Sequence, residues 1–213
     1  MGTSVQVYDI FRSIQGEASR VGLPMWFVRL AGCDLACSYC DTVAARDPKA
    51  GQELSVQEIV DRIETTPLPW VLLTGGEPLL QHTEASLLTR ALIDRGYEVL
   101  VETSGAYAID LADARACRIV DVKTPGSGMS DRMDWRNMAL VTPRDEVKFV
   151  LTDRKDYEWA REVVGRYGLL DRAAVLFGAA SGKLDLKTVA QWILEDSLPV
   201  RLNLQVHKWL GLP

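Results

Sequence analysis

Arg29-Leu30-Ala31-Gly32-Cys33-Asp34-Leu35-Ala36-Cys37-Ser38-Tyr39-Cys40-Asp41-Thr42 puts three of the chain's 4 cysteines within one short stretch, spaced C-x3-C-x2-C. Thiolates gathered at such spacing share a metal ion or a cluster. A structural zinc site takes four ligands, often two C-x2-C pairs or one pair with histidines. Here the remaining cysteine, Cys117, stands alone far downstream, and His82 has no partner at ligand spacing. Three thiolates can instead hold three irons of a four-iron, four-sulfur cluster, which leaves the fourth iron open to a small molecule. A zinc knuckle or a redox dithiol is the competing reading.

Outward from this stretch, Met25 to Leu30 reads as a buried strand that runs straight into Cys33. The cysteines therefore fall in the loop beyond a strand's carboxyl end. Upstream, Val5 to Ile14 alternates apolar and polar residues as a strand does, and Gln15-Gly16-Glu17 makes a loop. Downstream, Asp47 to Gln52 is loop-like, and Ser55 with Glu58 forms a capping box ahead of a helix carrying Val56, Ile59, Val60 and Ile63 on one face. Trp70 to Thr74 is a strand, Ala85 to Arg95 a helix ended by Gly96, and Tyr97 to Val101 and Arg118 to Val122 are strands. Asp110 to Ala116 holds at most two helical turns, and Thr124 to Asp131 is a loop over the site. Glu146 to Leu151 is a strand, Asp153 caps a helix to about Tyr167, and Ala173 to Phe177 and Val200 to Val206 are strands flanking a helix with Leu186, Val189, Ala190 and Ile193 inward.

Strand, loop and helix thus recur about six times without a repeat in sequence, which predicts an α/β fold with a parallel sheet. A closed eight-unit barrel needs about 250 residues, and this chain has 213. A partial, incomplete TIM-like barrel of about six parallel βα units, forming a single domain over 1–213, is the expectation. With 47% apolar residues the chain can bury one core, and a formal charge of -5 argues against nucleic acid or an anionic membrane as partner. The amino terminus has no basic-then-apolar signal pattern, and no apolar run approaches membrane-spanning length, so a cytoplasmic location is expected.

Tyr39 ahead of Cys40 completes C-x3-C-x-aromatic-C, and Gly75-Gly76-Glu77-Pro78 follows one strand–helix unit later. Two glycines at a strand end let backbone approach a ligand closely. The two motifs in this order resemble the radical S-adenosylmethionine superfamily. The resemblance implies a 4Fe–4S cluster on Cys33, Cys37 and Cys40 as the catalytic centre, with S-adenosylmethionine on the open iron as source of a 5′-deoxyadenosyl radical. It further implies cofactor contacts from Tyr39, Cys40 and Asp41, from Gly76 and Glu77 at the methionine ammonium, from Ser104 in Glu102-Thr103-Ser104-Gly105, and from Asp121, Val122 and Lys123. Phe177, Gly178 and Ala179 occupy the place of an adenine-contacting strand end, without the Gln-Pro frequent there.

Ser13-Ile14-Gln15-Gly16-Glu17, the Arg29 strand, Cys40-Asp41-Thr42 and the closing segment Leu204 to Pro213 resemble the 7-carboxy-7-deazaguanine synthases, over residues 13–213. One departure is Ala18, where that family commonly has a second glycine. The resemblance implies conversion of 6-carboxy-5,6,7,8-tetrahydropterin to 7-carboxy-7-deazaguanine, with Ile14, Gln15, Gly16, Thr74, His207 and Pro213 at the pterin. It implies Arg29 on the substrate carboxylate and Thr42 on a magnesium ion (Mg2+). A homodimer and a flavodoxin or ferredoxin electron donor are implied as well. By residue type alone, Arg29 suits a surface ion pair equally well, Asp41-Thr42 a helix cap, His207 a structural histidine and Pro213 a frayed end. Cys117 suits the core. A glycyl-radical activating enzyme shares the cluster and Gly-Gly-Glu-Pro motifs but gives no reason for Gln-Gly-Glu or Asp-Thr. A zinc scaffold is the non-enzyme alternative.

Overall fold

The computed structural model describes residues 4–213. β1 (Ser4–Ile14) pairs antiparallel with β2 (Pro24–Leu30) and with β3 (Gln52–Ser55). From β2 the sheet continues through β4 (Trp70–Gly75), β5 (Glu98–Thr103), β6 (Cys117–Val122), β7 (Glu146–Leu151), β8 (Ala174–Ala179) and β9 (Arg201–Leu202), each parallel to the strand before it. The order β3-β1-β2-β4-β5-β6-β7-β8-β9 leaves β3 and β9 as edges. The sheet is open, as the partial-barrel expectation requires. Helices α1 (Val56–Glu64), α2 (His82–Ile93), α3 (Asn137–Leu140), α4 (Arg154–Tyr167), α5 (Leu186–Glu195) and α6 (Val206–Leu210) follow in chain order.

Local chemistry explains most of these bounds. Ser55 Oγ accepts from Glu58 N while the Glu58 carboxylate accepts from Ser55 N, the reciprocal cap expected for α1. Asp153 caps α4 by accepting from Asp156 N, and Gly168, at φ 58, ends that helix in the left-handed region that glycine enters at no steric cost. Two expectations differ. Gln52 belongs to a short edge strand, because Gln52–Ser55 finds the unpaired side of β1. Val200 to Val206 is not one strand: only Arg201–Leu202 pair with β8, and the chain turns into α6 at Val206.

Side-chain alternation gives each strand two unlike faces. One face packs against the helices: Val28, Val71 and Val99 meet α1 and α2, while Val120, Val147, Phe149, Val175 and Phe177 meet α4 and α5. The other face lines the interior, where Phe27, Leu72, Leu100, Ile119 and Leu176 form an apolar layer. Two residues further along these strands stand Arg29, Thr74, Glu102, Asp121 and Gly178, and between β6 and β8 stands Lys148. The interior is thus apolar below and polar at the carboxyl ends. Among the described residues no helix is long and apolar enough to cross a membrane.

Candidate active site

A single pocket at the carboxyl ends of the parallel strands gathers the cysteine loop, the Gly75-Gly76 turn, the polar layer and the chain's last residues. Cys33, Cys37 and Cys40 all line it, and all are free thiols. Among the described residues no three His, Cys, Asp or Glu side chains converge as ligands of one metal ion. A four-iron cluster makes a different demand, since it takes each thiolate on a separate iron. Burial pushes the Cys33 and Cys37 thiols above their ordinary value, so occupying them with metal must release protons.

The cysteine loop is held on both sides. Cys33 N donates to Arg46 O at 3.1 Å. Ser38 N donates to Ser127 O at 3.0 Å, and Ser38 Oγ to Gly126 O at 2.8 Å. The Thr124 to Ser127 turn is fixed in its own place by Asp156, which accepts from Gly126 N at 2.8 Å and from Thr124 Oγ1 at 2.9 Å. That turn braces the cysteine loop through Ser38, and none of residues 124–131 lines the pocket itself.

The glycine pair has a more specific duty than general backbone access. A Cβ on Gly76 would lie 2.1 Å from Gly32 O, and one on Gly75, at φ +128, would lie 2.3 Å from Leu30 N. Both glycines therefore admit the backbone that leads into Cys33. Gly76 N and Glu77 N donate to Leu30 O and Gly32 O, each at 2.8 Å. Glu77 itself is fully buried. It accepts from Leu79 N at 2.9 Å, Thr103 Oγ1 at 2.8 Å and Ser104 N at 2.7 Å, and burial raises its pKa against those donors. Its oxygens are spent on the protein, so it anchors Ser104 and does not reach the pocket.

Asp121, Lys123 and Ser104 do line the pocket. Asp121 Oδ2 meets Lys123 Nζ at 3.0 Å, but its buried Oδ1 has no hydrogen-bond partner among the described residues. An orphaned buried acceptor beside the cysteine loop is suited to a ligand's hydroxyl or ammonium. Burial and the Asp121 and Cys37 charges raise Tyr39, which donates to Val150 O at 3.3 Å as a neutral phenol. Val122, Phe177, Gly178 and Ala179 are outside the pocket. The pleat turns Val122 and Phe177 toward the helices, where Phe177 packs edge-on to Phe149 and Tyr157. Gly178 faces inward but is covered by Asn203, 3.2 Å from where its Cβ would be. Ala180 and Ser181, just beyond, line the pocket instead.

Ile14, Gln15, Gly16, Arg29, Thr42, Thr74, His207 and Pro213 line the same pocket. Arg29 makes no ion pair among the described residues; it donates to Thr42 Oγ1 at 3.3 Å and lies over the Phe11 ring. Asp41, next to Thr42, pairs with Lys208 of α6 at 3.2 Å. A Cβ on Gly16 would lie 1.8 Å from His207 Nδ1, so only glycine lets the final helix close on this loop. Ser13 Oγ donates to Pro213 O at 3.0 Å. Ala18 adopts φ 62, in the left-handed region that favours glycine, and its N donates to Asn203 Oδ1 at 2.8 Å. This part of the loop carries backbone strain.

Sequence reasoning missed Lys148, whose ammonium meets Glu17 Oε2 at 3.0 Å and also Glu102. The available signal was an ionisable residue inside an apolar parallel strand, which is rarely buried without a purpose. Burial would raise Glu17, but Lys148 and the Gln205 and Asn203 amides overcome it and lower its pKa from 4.5 to about 2. A depressed carboxylate stabilises the fold above its unfolded value and loses that contribution as pH falls through its folded value. Stability should therefore decline between pH 4.5 and about 2, and Glu17→Gln should flatten that acid limb in thermal melts. An unchanged slope would contradict the assignment.

Comparison with known proteins gives the family. Residues 28–167 match the Radical SAM superfamily. A 7-carboxy-7-deazaguanine synthase from Chlorobaculum tepidum is 42% identical over 98% of this chain and 95% of its own length. One from Koribacter versatilis is 40% identical over 98% of both chains. The crystal structure of QueE from Escherichia coli superposes with a TM-score of 0.77 at 20% identity, covering 95% of this chain and 94% of that one, which supports the fold. Identity of this extent, running from the β1 loop to the last helix and spanning the cysteine loop, shows that the chain belongs to the 7-carboxy-7-deazaguanine synthases of the radical S-adenosylmethionine superfamily.

Proposed function

We propose that this protein contracts the ring of 6-carboxy-5,6,7,8-tetrahydropterin to 7-carboxy-7-deazaguanine with loss of ammonia, a redox-neutral step toward queuosine and other 7-deazapurines. The observation that carries the reading is one pocket lined both by three free thiols and by an arginine that pairs with no carboxylate among the described residues. A 4Fe–4S cluster with S-adenosylmethionine supplies hydrogen abstraction from an unactivated carbon when bound. Cys33, Cys37 and Cys40 would hold the cluster, and the unpartnered Asp121 Oδ1, Ser104 and the Gly76 turn suit the cofactor's polar groups. Arg29 offers a guanidinium fork to the substrate carboxylate. Gln15, Glu17 and Glu102 offer acceptors to the pterin's amino and ring N–H groups.

Thr42, next to Arg29, would supply one oxygen to Mg2+, with the substrate carboxylate and water as its other ligands. Closure of α6 over Gly16 excludes water from the pterin side. Operation as a cytoplasmic homodimer of single-domain chains, reduced by flavodoxin or ferredoxin, completes the proposal. Its test is anaerobic incubation of cluster-loaded protein with S-adenosylmethionine, reductant, Mg2+ and the carboxypterin. The deazaguanine acid and ammonia should form in equal amounts. Cofactor cleavage without either product would reject the substrate.

A further inference from the structure

Lys148 lies in the middle of β7 and is 4% exposed. Its ammonium meets Glu17 Oε2 at 3.0 Å, Asp121 Oδ2 at 3.3 Å and Glu102 Oε1. Those carboxylates belong to three separate pieces of chain: the β1–β2 loop, β6 and β5. All four side chains line the pocket. An ammonium carries three protons, and here it has three acceptors to satisfy. Each carboxylate has a second partner that sets its direction. Glu17 accepts from Gln205 Nε2 at 2.8 Å and Asn203 Nδ2 at 3.2 Å, Glu102 from Thr74 Oγ1 at 3.3 Å, and Asp121 pairs with Lys123.

Three carboxylates around one cation carry strong mutual repulsion if that cation is lost. Lys123 compensates only Asp121, and of the other charged groups lining the pocket, Arg29 on β2, His207 and Lys208 on α6 and Asp41 in the cysteine loop form no ion pair with Glu17 or Glu102 among the described residues; Asp41 and Lys208 pair with each other. Removal of one member of a buried, hydrogen-bonded charge set leaves the others uncompensated.

We propose that Lys148 is a positioning residue that aims Glu17 and Glu102 at the substrate while it braces Asp121 on the cofactor side. It therefore couples the substrate loop to the cofactor strand through one side chain. The role rests on the pterin reading above, because carboxylate acceptors serve the amino and ring N–H donors of that substrate.

The test is calorimetric titration of the carboxypterin into cluster-loaded protein with S-adenosylmethionine and no reductant, so that binding is read without turnover. The wild-type affinity profile from about pH 6.5 to 8.5 is the reference for the variants. Lys148→Met should weaken binding at least about 30-fold near neutral pH. It should also introduce an ionisation within that range, as the crowded carboxylates share a proton. Lys148→Met/Glu102→Gln removes the repulsion with the cation and should abolish the new ionisation; it also serves if the single variant does not fold. A lysine that only stabilises the fold would lower the melting temperature and leave affinity and its pH profile as in wild type. That result, or a pH dependence that survives in the double variant, overturns the proposal. Wild-type protein that does not bind the pterin rejects the substrate reading itself, and this role falls with it.

Discussion

Cys33→Ala is expected to abolish cluster assembly and turnover, whereas Cys117→Ala leaves both within about twofold of wild type, as a buried substitution remote from the site should. With three protein thiolates holding three irons, loss of one leaves two irons without a protein donor. Cys117 is chemically the same residue in a different environment. It is 5% exposed at the opposite end of β6, beside Arg20, and burial raises its thiol to about 11. It is kept protonated by the environment, and thiolate is the form that binds metal. Anaerobic iron and sulfide analysis of the two variants decides the matter. Equal loss of iron in both would contradict the division between cluster ligand and core cysteine.

Gly76→Ala should be severely damaging although it replaces none of the cluster cysteines. The added Cβ would sit 2.1 Å from Gly32 O and 2.9 Å from Ala45 O, both backbone atoms that cannot rotate away. One of the strands, or the loop carrying Cys33, must move. We expect a loss of about 3 kcal/mol, and a fall in melting temperature of about 6–12 °C for a chain this size. Iron content should fall with it, because Gly32 precedes Cys33. Gly22→Ala is a fair control: its φ of +92 is also left-handed, but its Cβ would meet nothing within 4 Å. If Gly76→Ala melts no lower than Gly22→Ala and loads iron fully, the clasp described here is wrong.

The two changes show why motif residues differed in how legible they were. C-x3-C-x2-C declares its chemistry by donor type and spacing, so Cys33, Cys37 and Cys40 were readable before any fold was known. Gly76 was readable as a place of close approach, but the approaching group is the protein's own carbonyl. Glu77 belongs to the same motif and faces away from the pocket, pinned by Leu79, Thr103 and Ser104. A motif marks a place in the chain, and the hydrogen bonds available there assign the task. Phe177 and Val122 lie outside the pocket for a simpler reason: being one residue out of phase in a strand sends a side chain to the other face.

The chain's own order of residues settled the cluster chemistry, the alternation of strands and helices, and the end of the sheet at which a site forms. Those are local properties, set by spacing, periodicity and capping within a few residues. Tertiary structure alone decided that β1 and β3 turn antiparallel at one edge, that the last helix closes on Gly16, and that Lys148 gathers Glu17, Glu102 and Asp121. Each of these joins residues far apart in the chain. Neither burial nor charge pairing over such separations is written in any short window, because both depend on which faces the folded sheet brings together.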